Sequence, residues 1–232
     1  MAARSSSRRR RAPALDKVER RQLLLRCAIG VFARRTIGGA HHAEIAREAK
    51  VSVPTVFFYF PTREELVRAV LEEVARFFTE MAESLHRKHC PAPEIILEHT
   101  RSFADTVATH PDYTRVLLEW STAVRDEVWP LYLKFQEKII AMIARTIGRW
   151  RIETGSDRDP DADYDARLIA ATGYVLVQMK VANLPNSRIE RFVQNLVRDT
   201  LGEVRASAMN EPHLSEFNVA VGGGVGQVVE KQ

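Results

Sequence analysis

Apolar residues recur every three or four positions along most of this chain, which is the spacing of one face of an α-helix. In the first such segment Asp16 and Glu19 are placed as a capping pair, and two glycines at 38 and 39 end the pattern. The apolar face of this segment consists of Leu24, Cys27, Ala28, Val31 and Phe32. We therefore predict a helix that starts near residue 16 and stops before residue 40.

Eight further helical segments follow. Two short ones are expected at about 42–49 and 53–60, where Pro61 ends the second. Thr62 and Glu65 form a capping box that opens a long fourth helix. Later helices are expected at about 94–109, 112–123 and 126–153.

The C-terminal third is predicted to hold the last two helices. Asp159-Pro160 has the pattern of an N-cap followed by proline at the first helical position, so a helix is expected from there to about residue 183. The last helix is expected to carry an apolar stripe from Ile189 to Val204. No segment alternates with the period of a strand, so the predicted fold class is all-α.

Charge is distributed unevenly. Residues 1–61 hold 13 basic and 4 acidic residues, a net charge of +9, whereas residues 62–232 hold 21 and 26, a net charge of −5. This asymmetry indicates a polyanionic partner for the N-terminal part alone, although a basic face that only aids solubility would have the same composition.

Other classes of function find little support. No stretch reaches the roughly 18 apolar residues of a membrane span, and no export signal is expected. Cys27 and Cys90 form no CxxC motif, which argues against a disulfide framework or zinc site, and suits a reducing cytoplasm. His86, His89 and Cys90 offer a weak metal-site alternative. Nucleophile elbow, zinc-protease and P-loop motifs are absent, so neither an enzyme nor a cofactor is predicted.

Residues 42–60 have the pattern of a helix-turn-helix. Ile45, Val51 and Val56 are spaced to fill the seam between two short helices. Ser52 is placed to cap the second helix and Pro54 suits its first turn. A second helix of about two turns fits the major groove of DNA, where its N-terminal residues meet base edges.

The segment AEIAREAKVSVPTVFFYFPTREELV resembles the helix-turn-helix signature of TetR-family regulators. Two other segments, VFARRTIGGAHHAEIA and LLEWSTAVRDEVWPLY, resemble the HapR/SmcR-type quorum-sensing master regulators of that family. The resemblance implies an N-terminal three-helix DNA-binding domain, a C-terminal helical regulatory and dimerisation domain, and a homodimer. We accordingly expect a disordered basic arm at 1–15, a DNA-binding domain at 16–61, a ligand-binding and dimerisation domain at 62–211, and a flexible tail at 212–232.

The resemblance also implies which residues contact DNA. Ser52, Val53, Pro54 and Thr55 would face bases or nearby phosphates, Tyr59 would bond a phosphate, and His42 would lie near the DNA backbone. The basic arm of Arg8, Arg9, Arg10 and Arg11 would enter the minor groove. Binding would weaken strongly with salt and would favour a near-palindromic operator in a bacterial cytoplasm, at the nucleoid.

One position departs from the resembled group, which has Asn where this chain has Phe58. Asn can pair with adenine, whereas Phe offers only apolar contact, for example to a thymine methyl group. A different operator is therefore expected. Core packing is the competing interpretation of the three phenylalanines here, and it is favoured for Phe57 and Phe60 and left open for Phe58.

The resemblance places a mostly apolar pocket in the second domain, suited to a small amphipathic ligand. Its expected lining is Phe77, Phe78, Thr79, Met81, Phe103, Trp120, Ile139 and Gln178, of which Thr79 and Gln178 supply polar groups. Ordinary core packing of these side chains is the alternative. If a ligand binds, it would shift the population between two spacings of the DNA-reading helices.

The last two helices are expected to pair with those of a second copy. The residues assigned to this dimer interface are Leu168, Val175, Ile189, Phe192, Val193, Leu196, Val197 and Leu201. The main expectation is thus a sequence-specific regulator that binds double-stranded DNA as a homodimer. Two alternatives stay open, namely a nucleoid-type binder without sequence preference and a metabolite-binding protein that has lost DNA specificity.

Overall fold

The structure is a computed structural model that describes residues 16–124, 127–156, 158 and 161–201. Within these ranges every regular element is an α-helix, as the apolar spacing predicts. The N-terminal helices are α1 (Lys17–Gly39), α2 (His42–Glu48) and α3 (Val53–Tyr59). The remaining helices are α4 (Arg63–His86), α5 (Ala92–Thr109), α6 (Pro111–Trp120), α7 (Trp129–Thr154), α8 (Asp163–Val181) and α9 (Asn186–Leu201).

Helix α1 starts at the predicted capping box. The carboxylate of Asp16 accepts from Glu19 N at 2.7 Å, and Glu19 accepts from Asp16 N at 3.1 Å, so two of the amides left unpaired at a helix start are bonded. The helix is regular only as far as Thr36, whose φ of 70° and ψ of 163° interrupt it. The break thus comes before the glycines that were predicted to end the helix.

Helix α4 links the helix-turn-helix to the rest of the molecule. Thr62 caps it by accepting from Glu65 N at 3.1 Å. Its 24 residues extend about 36 Å at 1.5 Å per residue, and its apolar face runs from Leu66 to Leu85. The helix contacts α1 near its start and α5, α6 and α7 further along.

The predicted domain boundary between residues 61 and 62 does not separate two hydrophobic cores, because one continuous core spans it. One buried cluster joins Leu24 and Phe32 of α1 to Leu66 of α4, Trp120 of α6 and Tyr132 of α7. Helix α1 packs along α6, so the DNA-binding helices and the larger bundle share their interior. The assignment of separate roles to 16–61 and 62–211 stays a prediction, and the arm at 1–15 and the tail at 212–232 lie outside the described residues.

Helix α8 starts later than predicted. Asp161 and Ala162 are described and not helical, and the carboxylate of Asp161 accepts from Asp163 N at 3.1 Å. The prediction of a start at Pro160 is therefore wrong by three positions, since α8 begins at Asp163 and its N-cap is Ala162, which makes no side-chain capping bond. Asp159, Pro160 and Val204 lie outside the described residues. No helix in the described ranges is long and apolar enough to cross a membrane.

Candidate nucleic-acid interface and interior cavity

Helices α2 and α3 pack through the seam that the sequence predicts. Ile45 and Val56 are fully buried, and Val51 between the helices is half-buried. The turn that joins them contains Lys50 with a φ of 55°, a left-handed conformation that non-glycine residues seldom adopt. The turn is closed by a bond from Val51 N to Ala46 O at 2.9 Å.

Ser52 caps α3 as predicted. Its hydroxyl lies 2.8 Å from the Thr55 hydroxyl and accepts from Thr55 N at 3.4 Å. Pro54 lies in the first turn, where a missing N–H costs no helical bond. Ser52, Val53 and Pro54 are exposed, so the start of α3 is accessible from solvent.

The outer face of α3 is apolar as well as exposed. Phe58 leaves 66% of its surface accessible and Phe57 leaves 45%. Phe60 is buried, as the packing interpretation predicts, whereas that interpretation is wrong for Phe57 because its ring lies at the surface and stacks on His42. Tyr59 is half-buried and its ring meets that of Phe58 edge to face at 5.1 Å.

His42 faces the interior. Its Nε2 lies 2.9 Å from the carbonyl oxygen of Phe60, and its ring stacks on Phe57 with centroids 4.1 Å apart. The placement of His42 near the DNA backbone stays a prediction, and its side chain, which is 8% exposed, leaves little surface for a direct contact. Its observed role is to fix the end of α3 against the start of α2.

Two basic residues of α1 lie beside α3. Lys17 Nζ is 5.4 Å from the centre of the Phe58 ring, and Arg21 is 5.3 Å from that of Phe60. Sequence reasoning missed both as DNA-facing candidates, although their spacing of four places them on one helix face. Arg8, Arg9, Arg10 and Arg11 lie outside the described residues.

A cavity lies between α4, α5, α7 and α8. Four predicted residues line it, namely Phe78, Met81, Phe103 and Ile139. Its water-accessible volume is about 50 Å³. This is room for roughly three to five water molecules, so a larger guest would have to displace side chains. His99, Thr100, Gln136 and Tyr174 supply polar groups that the sequence did not indicate.

The other four predicted pocket residues lie elsewhere. Phe77 packs against His110 and Tyr113, and Gln178 is exposed because it falls on the outer face of α8. Thr79 and Trp120 border a separate open cleft between α4 and α7, and the indole N–H of Trp120 donates to Val128 O at 3.0 Å. None of these four residues lines the cavity, and their assignment to a ligand pocket stays a prediction.

Gly173 forms part of the cavity wall. A Cβ atom at this position would lie 3.0 Å from the nearest ring carbon of Phe103, closer than packed atoms approach. The Phe103 ring rests against the backbone of α8 for this reason. Next to it, the hydroxyl groups of Tyr174 and Tyr132 form a short hydrogen bond, and burial raises the pKa of both phenols.

Two imidazoles are hydrogen-bonded below the cavity. His86 Nε2 lies 2.9 Å from His99 Nδ1, and His86 Nδ1 lies 2.7 Å from the Thr146 hydroxyl. Burial lowers the pKa of His99 to about 4. Burial, followed by the charges of His99, Arg145 and Arg149, lowers the pKa of His86 to about 3. Both rings are therefore neutral near pH 7.

The proposed metal site is not formed by these groups. His86 pairs with His99 rather than with His89, while Cys90 is exposed. Among the described residues, no group of three or more His, Cys, Asp or Glu side chains is arranged to hold a metal ion.

The residues assigned to a dimer interface divide into two sets. Leu168 and Val175 of α8 are exposed, together with Tyr164 and Val181 on the same helix. Four residues of α9 are buried against their own chain, largely against α5, and leave little surface for a partner, so their assignment to an interface stays a prediction: Ile189, Val193, Val197 and Leu201. Phe192 and Leu196 are half-buried in the same packing.

The sequence of the N-terminal helices is similar to that of known DNA-binding regulators. Residues 24–70 match the family model of bacterial regulatory proteins, tetR family. The HTH-type transcriptional regulator LuxR of Vibrio harveyi is 44% identical over 119 residues, which cover 51% of this chain and 58% of LuxR. The chain thus matches a little over half the length of that relative.

Solved structures extend the likeness to the whole described fold. A cysteine mutant of the TetR family regulator CifR, complexed with double-strand operator DNA, has a TM-score of 0.66 at 18% identity, covering 81% of this chain and 98% of CifR. FadR of Bacillus subtilis in complex with stearoyl-CoA has a TM-score of 0.63 at 14% identity, covering 79% and 99%. LuxR, CifR and FadR are each described as transcriptional regulators, and the likeness to the last two shows a shared fold.

Proposed function

Since residues 24–70 match the family model of bacterial regulatory proteins, tetR family, we propose that this chain is a sequence-specific transcription regulator that reads operator DNA with α3. The observation that carries the proposal is the exposed face of α3, where Val53, Phe57 and Phe58 leave apolar surface in water next to exposed Ser52 and Pro54. Such a surface on a two-turn helix suits insertion into a major groove.

Each residue of this face has a chemistry that suits a part of the groove. The hydroxyls of Ser52 and Thr55 can bond base edges or phosphates, while the rings of Phe57 and Phe58 can cover thymine methyl groups. Tyr59 directs its hydroxyl to a phosphate. Lys17 and Arg21 add positive charge beside α3, and the arginine-rich arm at 8–11 reaches a neighbouring minor groove.

The regulator acts as a homodimer. Support comes from α8, where Tyr164, Leu168 and Val175 leave an apolar stripe in solvent on a helix otherwise packed against α5 and α7. A two-fold pair places two α3 helices about 34–36 Å apart, one turn of the DNA duplex, so the operator is a near-palindrome.

A small amphipathic ligand in the cavity modulates DNA binding. The apolar wall from Phe78, Met81, Phe103 and Ile139 and the polar groups of His99 and Tyr174 suit such a molecule. FadR of Bacillus subtilis, which shares this fold, is solved with stearoyl-CoA. The resemblance to the HapR/SmcR group and the similarity to LuxR suggest quorum sensing as the pathway.

Selection of bound fragments from random DNA by the purified chain tests this function. Enrichment of a near-palindromic motif supports the sequence-specific regulator. Enrichment without any motif would support a nucleoid-type binder, and no enrichment would support a metabolite-binding protein without DNA function. The same selection with Phe58→Asn is expected to yield a different motif, because an amide can pair with adenine where the ring cannot.

A further inference from the structure

A second, solvent-facing cleft lies on the far side of His86 from the cavity. It is formed by the end of α4 and one face of α7, and its volume is about 330 Å³. His86 and Thr146 lie at its base, and Glu83, Arg87, Lys138, Arg145 and Arg149 surround it with Met142. The DNA-reading part of the chain precedes α4, so this cleft lies at the opposite end of a helix about 36 Å long.

Positive charge accumulates in this cleft. Lys138, Arg145 and Arg149 lie seven and four residues apart on one face of α7, and Arg87 faces them from the C-cap of α4. Glu83 is the one acidic residue of the lining, and it is already shared between Lys138 at 2.9 Å and Arg87 at 4.0 Å. The lining therefore carries a net charge of +3 in a part of the chain whose overall charge is negative.

The two arginines of α7 are weakly compensated. Arg145 forms no ion pair within the described residues, and Arg149 has only the exposed carboxylate of Glu153 at 3.8 Å. Their charges also disfavour protonation of His86, which shows that their field reaches the base of the cleft. Arg87 complements the helix dipole at its cap and Lys138 is paired with Glu83, so the positive charge that remains to be explained comes from Arg145 and Arg149.

We propose that this cleft binds a small oxyanion of the phosphate class. Guanidinium groups present forked N–H donors that match the oxygens of phosphate, and clustered like charges repel one another until an anion lies between them. The site is concave and small, which suits a free phosphate ion or the phosphate group of a metabolite rather than an extended polyanion. Neither the DNA-reading face nor the interior cavity contributes a donor to it.

Calorimetric titration of the full chain tests the proposal, with inorganic phosphate and methyl phosphate added at constant pH and ionic strength. Saturable binding is expected for at least one of them. Tighter binding of methyl phosphate identifies a phosphate ester as the ligand class, and tighter binding of inorganic phosphate identifies the free ion. The double variant Arg145→Gln/Arg149→Gln should raise the dissociation constant about tenfold or more, because two charged hydrogen-bond donors are lost.

The matched control is Arg115→Gln/Arg167→Gln, which removes two exposed arginines on α6 and α8 and should leave the dissociation constant unchanged. Because the replaced side chains in both variants are exposed, the fold is retained, and circular dichroism checks this. Absence of saturable heat, or equal affinity in the two double variants, would overturn the proposal. No DNA enters the titration, so its outcome is independent of the proposed regulatory function.

Discussion

Phe58 shows how a single side chain can be unfavourable for the isolated protein and useful in a complex. Two thirds of its surface lies in water, and its ring meets the ring of Tyr59 and the ammonium group of Lys17. Burial of a phenylalanine side chain is worth about 1.5–3 kcal/mol, and this gain is not realised in the free chain. A partner that covers the ring of Phe58 would gain this free energy on binding.

Replacement of Phe58 by Ala should therefore separate folding from binding. The free energy of unfolding is expected to change by less than about 0.5 kcal/mol, since the ring is exposed. Affinity for the selected operator should fall about tenfold or more, because the apolar contact with the groove is lost. Denaturant unfolding and a fluorescence DNA-binding titration measure the two effects. Val124→Ala, at another exposed apolar residue, is the control and should alter neither.

The hydrogen-bonded pair His86 and His99 gives stability a pH dependence. Each imidazole has a pKa near 6.5 in the unfolded chain, and burial lowers the pKa to about 3 for His86 and about 4 for His99 in the fold. Below pH 6.5 the unfolded chain takes up protons that the folded chain does not, so stability is full above that pH and is lost as pH falls toward 4 and then 3.

Melting curves between pH 7 and pH 4 measure this loss, which should be on the order of 3 kcal/mol for His99 alone. The variant His86→Gln/His99→Gln is expected to melt with a weaker pH dependence over that window. Its matched control is His89→Gln/His110→Gln, at two exposed histidines, which should retain the full dependence. Identical slopes for all three proteins would contradict the assignment of the loss to the buried pair.

Local chemistry explains which residues could be predicted from sequence. Ser52 and Pro54 are identifiable because a cap and its helix are neighbours along the chain. The partner of His86 is not, since His99 lies 13 residues away on the next helix, whereas His89 is close in sequence and lies outside the packing. The polar lining of the cavity was missed for the same reason: His99, Gln136 and Tyr174 come from three different helices.

At the scale of elements, side chains from the larger helical bundle fix the junction between α1 and α2 by hydrogen bonds. The backbone leaves its helical path at Thr36, and the N–H of Ile37 donates to the Glu119 carboxylate of α6 at 2.7 Å. The guanidinium of Arg63 donates to the carbonyls of Ile37 at 2.7 Å and Gly38 at 3.0 Å. The backbone N–H and C=O groups that lose their helical partners at this break are thus hydrogen-bonded by side chains from two other helices.

Removal of the acceptor at this junction should be costly. Glu119→Ala is expected to lower the free energy of unfolding by about 1–3 kcal/mol, because the N–H of Ile37 loses its partner. Glu119→Gln keeps an oxygen acceptor and should cost less than half as much. Denaturant unfolding measures both, with Glu98→Ala, which removes an exposed ion pair with Lys88, as the control expected to stay within about 0.5 kcal/mol. Equal losses in both Glu119 variants would argue against the hydrogen bond.

The spacing of apolar residues predicts the element types and most helix boundaries. It does not predict which partner covers the apolar face of each helix. The stripe of α9 is clearly visible in the sequence, yet a stripe shows only that a helix has something to cover. In this fold α5 covers it, so Ile189 and Val193 lie in the protein's own core. On α8, where both faces contain apolar residues, the pattern could not distinguish the inner face from the one left in solvent.

At the scale of the whole molecule, the exposed stripe of α8 predicts self-association. Leu168 and Val175 leave 44% and 42% of their surfaces accessible, and Tyr164, four residues before Leu168, extends the stripe toward the start of the helix. Leu168→Glu/Val175→Glu is expected to shift the protein from dimer to monomer, because paired helices would bury unpaired carboxylates. Sedimentation equilibrium gives the mass.

The control for this change is Gln194→Glu/Asn195→Glu on the exposed face of α9, which adds the same charge elsewhere and should leave a dimer. Affinity for a palindromic operator should fall in the α8 variant and affinity for a single half-site should not. A monomeric mass for the unmodified chain at the concentrations used for DNA binding would contradict the dimer.

Gly173 affects the volume of the interior cavity. Glycine within a helix costs about 1 kcal/mol relative to alanine, and here the missing methyl group lets the ring of Phe103 approach the backbone of α8 closely. A methyl at this position would press the aromatic ring toward the cavity and shrink a space that already admits only a few waters. Gly173→Ala should therefore displace the Phe103 ring by a few tenths of an ångström and reduce the volume of the cavity.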